Sequence, residues 1–595
     1  MYIDLLIYFK MKVSDFITSF LISKKIKYVY AVTGGASLHL IHSAMNNKKL
    51  NVIFPIHEQT CAMSADAYSR VSHNVGAAFA TSGPGATNLA TGICGAYFDS
   101  VPVMYITGQV STNRSKGSTG VRQIGFQETD CVDMYKSVTK YSYKISKASE
   151  IKYQFEKAYS IAVSGRKGPV LIDIPDNIQR EEINPNKLRT YFKKKAALKN
   201  NKKNYRQLLS LISKAKRPIL ILGWGIHLSN SYKEVLKLIK QLKFPVVTTW
   251  AMAHILPHDH NLKVGTWGTH GSRFANFAVQ NSDLVLSIGS RLDTKATGSP
   301  INTFARGAKK IVIDIDKSEL DKFKKFGLKI DLKINQDLKK FCKDFLKLNC
   351  QNKSNYSDWY NTIKKWKTKY PICLKNYYLE KNINPYVFVD YLSELVKQGQ
   401  YIIVDTGCAI AWTMQGFKFK KKQTLLHDFN NTAMGWSIPA AIATAFLKKK
   451  QVIVIIGDGS FSFMLQELSL IKKHNLNVKI FLLNNAGQSM IKQTQDQWLK
   501  SQYFGSSEKG GLPKIDFKKV VKAFGLDVSE TRHQKELKGD IKNFLKNNKA
   551  GMLEVIIPPQ HRVIPQVKFG KPNEDLEPLL LRKEFYDNMI TKPIS

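Results

Sequence analysis

Short apolar runs alternate with helix-patterned stretches along most of the chain. Runs at 28–32, 51–56, 76–81 and 103–107 each end in a polar or glycine-containing turn that leads toward a helical segment. Runs apolar on both faces are what strands buried inside a parallel sheet require. The same alternation returns at 219–222, 284–288 and 311–316, and again at 401–404, 452–456, 478–483 and 552–557. It predicts an α/β chain of three doubly wound parallel-sheet domains. Their expected limits are 11–184, 202–348 and 384–557, followed by a tail over 558–595. Basic, Asn-rich sequence at 193–204 reads as a linker. Ser14 is expected to cap the first helix, and a small-residue helix is expected over 61–70.

One stretch, 452–495, concentrates the chemistry. Its first strand breaks at Gly457-Asp458-Gly459, a helix is expected from about Ser460, and its second strand breaks at Asn484-Asn485. In a parallel sheet both turns fall at the carboxyl ends of their strands, on one edge. Gly457 and Gly459 let a ligand approach the backbone, the helix start offers N–H groups to a phosphate, and Asp458 and Asn485 are hard oxygen donors suited to Mg²⁺. That set suits a metal-bridged diphosphate, although two ordinary turns would draw on the same residue types. Earlier in the chain, Glu58 follows a strand end among apolar and small residues, where a carboxyl is partly desolvated. A lone Glu in a first helical turn also simply favours the helix dipole.

Composition adjusts this picture in two ways. The chain has 90 Lys+Arg against 46 Asp+Glu, a formal charge of +44. The lysines are spread along the chain, with small clusters such as Lys420 to Lys422, and no nucleic-acid-binding motif accompanies them. They read as a solvated surface, so no nucleic-acid partner is expected. Seven cysteines, none in a CxxC pair, argue against a disulfide framework or zinc site and fit a cytoplasmic protein. The opening MYIDLLIYFK is too short to span a membrane. Since Met11 begins a well-patterned segment, residues 1–10 are expected to be an upstream extension.

GDG followed by NN, with 27 positions between Asp458 and Asn485, resembles the thiamin diphosphate motif. YAVTGGA, IHEQTCAMSADAYSR and TSGPGATNLATGICGAYFDSVPVMYITGQ closely resemble the pyrimidine-binding domain of the acetolactate synthase group of thiamin-diphosphate enzymes. The resemblance implies that Glu58 hydrogen-bonds N1′ of the aminopyrimidine and that Gln127, in FQE, orients substrate. It places Gly34, Gly35, Pro84 and Asn88 on the pyrimidine side, and Gly407, Met434, Gly457, Gly459, Ser460, Gln488 and Met490 around the rest of the cofactor. Met434 would hold the two rings in a bent conformation. Asp458, Asn485 and the Gly487 carbonyl would bind Mg²⁺. The middle domain, with Gly223-Trp224-Gly225, GTWGTHG and GSRLD, resembles the FAD-binding domain of the same synthases, which implies that Gly223, Gly225, Arg291 and Asp314 contact FAD. There the flavin has no net redox role. Where the family commonly has GARFDDR, this chain has GSRLDTK, so Thr294 and Lys295 depart from it.

The implied activity is a carboligase that decarboxylates a 2-oxo acid such as pyruvate and transfers the two-carbon unit to an acceptor carbonyl. The implied assembly is a homodimer or homotetramer in which Glu58 serves the diphosphate site of the partner, with room for a regulatory small subunit; no membrane is involved. Two departures concern the acceptor. Thr494 stands where branched-chain synthases typically carry Trp, and Gly125 abuts Phe126 where they usually have a short insertion. The change opens space for something polar, as in synthase-like enzymes thought to act on nucleotide-linked keto-sugars. A non-ligating decarboxylase or oxidase, and a basic binding protein that has lost catalysis, are the other readings.

Overall fold

The computed structural model describes residues 10–193, 201–348 and 355–594. Most of the 1–10 extension and part of the basic linker lie outside the described residues. Among the described residues the strands form three six-stranded sheets, each wholly parallel, and two small antiparallel pairs. In space the first sheet runs Asn51–Ile53, Tyr28–Ala31, Gly76–Ala80, Val103–Gln109, Val170–Pro175, Tyr141–Lys144. The third runs Thr424–Leu426, Tyr401–Val404, Val452–Gly457, Val478–Asn484, Gly551–Ile556, Asp527–Thr531. Numbered along the chain, both follow the order 2-1-3-4-6-5. The middle sheet follows 3-2-1-4-5-6, from Lys263–Thr266 at one edge to Leu332–Asn335 at the other. Each order reverses once beside its first strand, and such a switch point opens a crevice at the carboxyl ends.

The central strands Gly76–Ala80, Pro218–Leu222 and Leu284–Ile288 are buried along their whole length, which is why they lack the polar alternation of a one-faced sheet. Helices cover both faces. Helix Glu58–Ser72 of the first part packs on helix Ser437–Lys448 of the third, and both are rich in Ala and Ser, which allows close approach. Their contact makes one hydrophobic core that runs from Tyr30 and Ala62 through Trp436 and Ile442 to Val454. The middle part has a core of its own, from Leu208 to Trp366, which also takes in Phe585 of the tail.

Three local expectations are corrected. Ser14 does not cap the first helix, which spans Val13–Ser23 and begins where Val13 N bonds Glu181 O, beside the Met11–Lys12 pairing with Glu182–Ile183. The Ser14 hydroxyl is buried and accepts from Ser43 Oγ. The helix expected over 61–70 begins earlier, at Glu58, because His57 caps it: Gln59 N donates to His57 Nδ1 at 3.0 Å. The helix expected from about Ser460 is three pieces, Asp458–Phe461, a 3₁₀ stretch Ser462–Glu467 and Leu468–Lys473, with a break in helical geometry at Met464. Glycine and serine at its start hold a continuous helix poorly.

Candidate active site

The switch point of the first sheet gathers the residues expected on the pyrimidine side. Gly34 follows one strand and Thr81 the next, so close that a Cβ on Gly34 would stand 2.4 Å from Thr81 Cγ2. The turn that follows places Gly83, in left-handed conformation, against Gln127, and Pro84 opens the short helix Pro84–Thr87. A Cβ on Gly85 would lie 3.4 Å from Glu58 Oε1, and Asn88 Nδ2 donates to Glu58 Oε2 at 2.9 Å. Glu58, Asn88 and Gln127 therefore lie around the turn that Pro84 continues, Gly34 abuts Thr81 before it, and a Cβ on Gly35 would meet nothing within 4 Å. Glu58 is half-buried in the first turn of its helix. Gln127 is held at φ +62°.

Glu467 was not singled out from the sequence. It is fully buried, and its carboxylate accepts from Ile56 N at 3.2 Å, His57 N at 3.2 Å and Thr60 Oγ1 at 2.8 Å. It ties the start of the Glu58 helix to the third part of the chain. An acid in an amphipathic stretch reads as solvent-facing, and its partners lie some four hundred residues away, so no local signal marks it.

The third sheet's switch point gathers the residues expected on the diphosphate side. Asp405 ends one strand and accepts from Gly435 N at 3.1 Å and Ser437 N at 2.9 Å, which anchors the Met434 loop. Gly407, at φ +77°, and Gly457 have nothing within 4 Å of an added Cβ, so both border open space. A Cβ on Gly459 would meet Met434 Cε at 3.4 Å and Gln488 Cγ at 3.5 Å. Met434 and Gln488 thus wall a glycine-floored cradle, with Ser460 buried beside it. Met490 packs against the core beneath.

Asp458 is the pivot of the two turns. Gly459 N donates to its Oδ1 and Gly487 N to its Oδ2, each at 2.9 Å. Burial pushes its carboxyl up to about 6. Asn485 is 5% exposed, and its Oδ1 has no hydrogen-bond partner. A buried oxygen with no protein partner, on the turn next to the one that carries Asp458, is one that a bound cation would satisfy. A hard divalent ion such as Mg²⁺ fits, held by Asp458, Asn485 and a backbone carbonyl at Gly487. Gly487 is at φ +135°, and a Cβ there would lie 2.3 Å from Ser506 O, so only glycine fits. Among the described residues no hydrogen bond joins Glu58, Asn88 or Gln127 to the segment from Gly457 to Met490.

The middle sheet's switch point opens on a cavity of about 760 Å³ bordered by Gly225, Arg291 and Asp314. Gly223 lies behind it, where a Cβ would stand 2.3 Å from Gly289 O. Trp250 and His270 form an aromatic wall, and Lys295 Nζ sits 4.1 Å over the Trp250 ring. Arg291 pairs with Glu319 at 3.1 Å and donates to Asn430 Oδ1 at 3.0 Å. Burial pushes the Asp314 carboxyl up to about 6. Asp99 and Arg166 from the first part and Phe429 from the third complete the walls. The size and mixed lining fit a dinucleotide such as FAD.

Among the described residues no helix is long and apolar enough to cross a membrane. Three family models match the chain: the N-terminal TPP binding domain of thiamine pyrophosphate enzymes over 11–134, their central domain over 205–345 and their C-terminal TPP binding domain over 405–555. Acetolactate synthase 2, chloroplastic, of Nicotiana tabacum is 33% identical over 578 residues, covering 95% of this chain and 85% of that protein. The acetolactate synthase large subunit of Lactococcus lactis subsp. lactis (strain IL1403) is 31% identical over 557 residues, 93% of each chain. Acetolactate synthase, chloroplastic, of Arabidopsis thaliana is 32% identical over 581 residues, covering 95% of this chain and 84% of that protein.

Proposed function

Since the chain belongs to the thiamine pyrophosphate enzymes, as an acetolactate synthase-like member, we propose that it is a Mg²⁺-dependent carboligase that decarboxylates pyruvate and passes the two-carbon unit to an acceptor carbonyl. The observation that carries this reading is the pair of turns that bring buried Asp458 and the unpartnered Asn485 Oδ1 to one sheet edge, beside a glycine-floored cradle. When bound, thiamin diphosphate supplies the carbon nucleophile and the electron sink. The protein's part is to hold it. Asp458, Asn485 and the Gly487 carbonyl grip the metal and so the diphosphate, while Met434 and Gln488 wall the cradle above Gly459. Glu58, steadied by Asn88, holds or yields a proton at N1′ of the aminopyrimidine. Gln127 lies beside that carboxylate's turn and orients substrate.

In this reading two chains pair so that Glu58 of one faces the diphosphate turn of the other. FAD occupies the middle cavity as a structural group, with Gly225, Arg291 and Asp314 along it. Action in the cytoplasm, further pairing to a tetramer and a regulatory small subunit belong to the same reading. A second reading has a specific observation in its favour. Thr494 is half-buried on helix Ser489–Trp498, its hydroxyl bonded to Met490 O at 3.2 Å. A small polar side chain there leaves room for a larger acceptor, such as a nucleotide-linked keto-sugar.

One assay separates these. The protein is incubated with pyruvate, thiamin diphosphate and Mg²⁺, with either a second 2-oxo acid or a nucleotide-linked keto-sugar, and CO₂, acetolactate, acetaldehyde, peroxide and sugar adducts are followed. Acetolactate is expected in the simplest case and a sugar adduct in the second. Acetaldehyde or peroxide alone overturns ligation. Thr494→Trp is expected to shift preference toward small 2-oxo-acid acceptors, and an unchanged preference counts against a role for this position.

A further inference from the structure

One cation stands inside the metal turn. Lys492 lies on the first turn of helix Ser489–Trp498, its side chain is folded back, and the residue is only 3% exposed. Its ammonium donates to the Ala486 carbonyl at 3.1 Å. A Cβ built on Gly487 would come 3.2 Å from Lys492 Nζ, so the charge sits over the residue whose N–H holds Asp458 Oδ2 at 2.9 Å. Ala486 itself is at φ +53°, a conformation unfavourable for a residue with a Cβ, and the lysine bond helps to keep it there.

An ammonium has three N–H donors and no acceptor. Ala486 takes one of them, and among the described residues no carboxylate forms an ion pair with Lys492. The neighbouring cation Arg562 is committed elsewhere, to Asp496 at 2.7 Å and to Tyr503 Oη at 3.0 Å. Asp458 attracts this ammonium without bonding it, so a buried cation with donors to spare would still gain from a second anion beside it. Asp458 and a fully ionised diphosphate together outweigh one divalent cation, so the loaded turn would remain negative, and Lys492 brings it toward neutrality. The place of the charge decides which anion it meets. It stands on the Asp458–Gly487 turn, at the carboxyl ends of the strands, with open glycine floor at Gly457 beside it.

We propose that Lys492 is a cationic anchor for the cofactor's diphosphate, acting alongside the metal set. This rests on the reading of the site as a thiamin diphosphate site. The test uses the full-length apoprotein, with thiamin diphosphate titrated by calorimetry at saturating Mg²⁺ and Mg²⁺ titrated separately. Lys492→Met is expected to weaken diphosphate binding by about 10- to 100-fold, as the loss of a charged hydrogen bond does. Lys492→Arg should recover much of that loss, and the pyruvate KM at saturating cofactor should not move. If Lys492→Met does not fold, as judged by its melting transition, Lys492→Gln carries the same expectation. Wild-type diphosphate affinity in these variants would overturn the proposal. A shift confined to the Mg²⁺ half-saturation point would also overturn it and leave Lys492 as a prop for Ala486 alone. A raised pyruvate KM with unchanged cofactor binding would assign the charge to the substrate carboxylate instead. Failure of the wild-type protein to bind thiamin diphosphate at all would remove the parent reading, an outcome distinct from each of these.

Discussion

Glu58 receives one side-chain hydrogen bond, from Asn88, and its other oxygen faces the glycine turn at Gly85. That leaves Oε1 free for a ligand while Oε2 fixes the rotamer. Glu58→Gln keeps the shape and removes the exchangeable proton, so the turnover rate should fall by on the order of 10²- to 10⁴-fold, the usual worth of a general acid or base. Steady-state kinetics at saturating cofactor would measure it, and near-full activity would remove Glu58 from the chemistry. Asp458 and Asn485 were readable from spacing, because two adjacent parallel strands must deliver their turns to one edge. Lys492 was not. A lysine on an amphipathic helix ordinarily points to water, and only the fold shows this one turned back over Ala486.

At the scale of elements, strand positions followed closely from runs of Val, Ile and Leu, since a strand buried on both faces tolerates little else. Helix starts were less readable. They depend on partners far along the chain, as Val13 depends on Glu181 and the Glu58 helix on Glu467. The break at Met464 is part of that second arrangement. It redirects the chain after the Asp458 turn so that Glu467 reaches back to Ile56, His57 and Thr60. Glu467→Gln keeps one acceptor and sets an amide N–H₂ against backbone donors inside the core. The expected loss is about 1–3 kcal/mol of stability, the cost of leaving a buried donor unmet, together with a lower turnover rate through displacement of Glu58. Thermal melts and kinetics on one preparation would show both, and a variant that matches wild type in each would mean that the tie is dispensable.

For the whole molecule, apolar surface lies close in sequence to Glu58 and Gln127. Ile56, Ile124 and Phe126 are exposed, Phe126 by 84%, which is more than isolated surface residues would explain. Pairing of two chains would cover them. Carboxylates at two of these positions, Ile124→Asp with Phe126→Asp, should convert a dimer to monomers in sedimentation velocity, with activity lost in step. An unchanged sedimentation coefficient would place the interface elsewhere. This surface was not readable from residue order, since exposure belongs to the folded chain.

The outer thirds of the chain share one hydrophobic core, and the middle third has a core of its own. The first and third parts each keep a further core besides the shared one, so the shared core joins sequence ends that never adjoin. The 760 Å³ cavity is walled by residues of all three parts, so whatever fills it works as mortar between them. A group lodged there need exchange no electrons to matter, since it would touch all three parts at once.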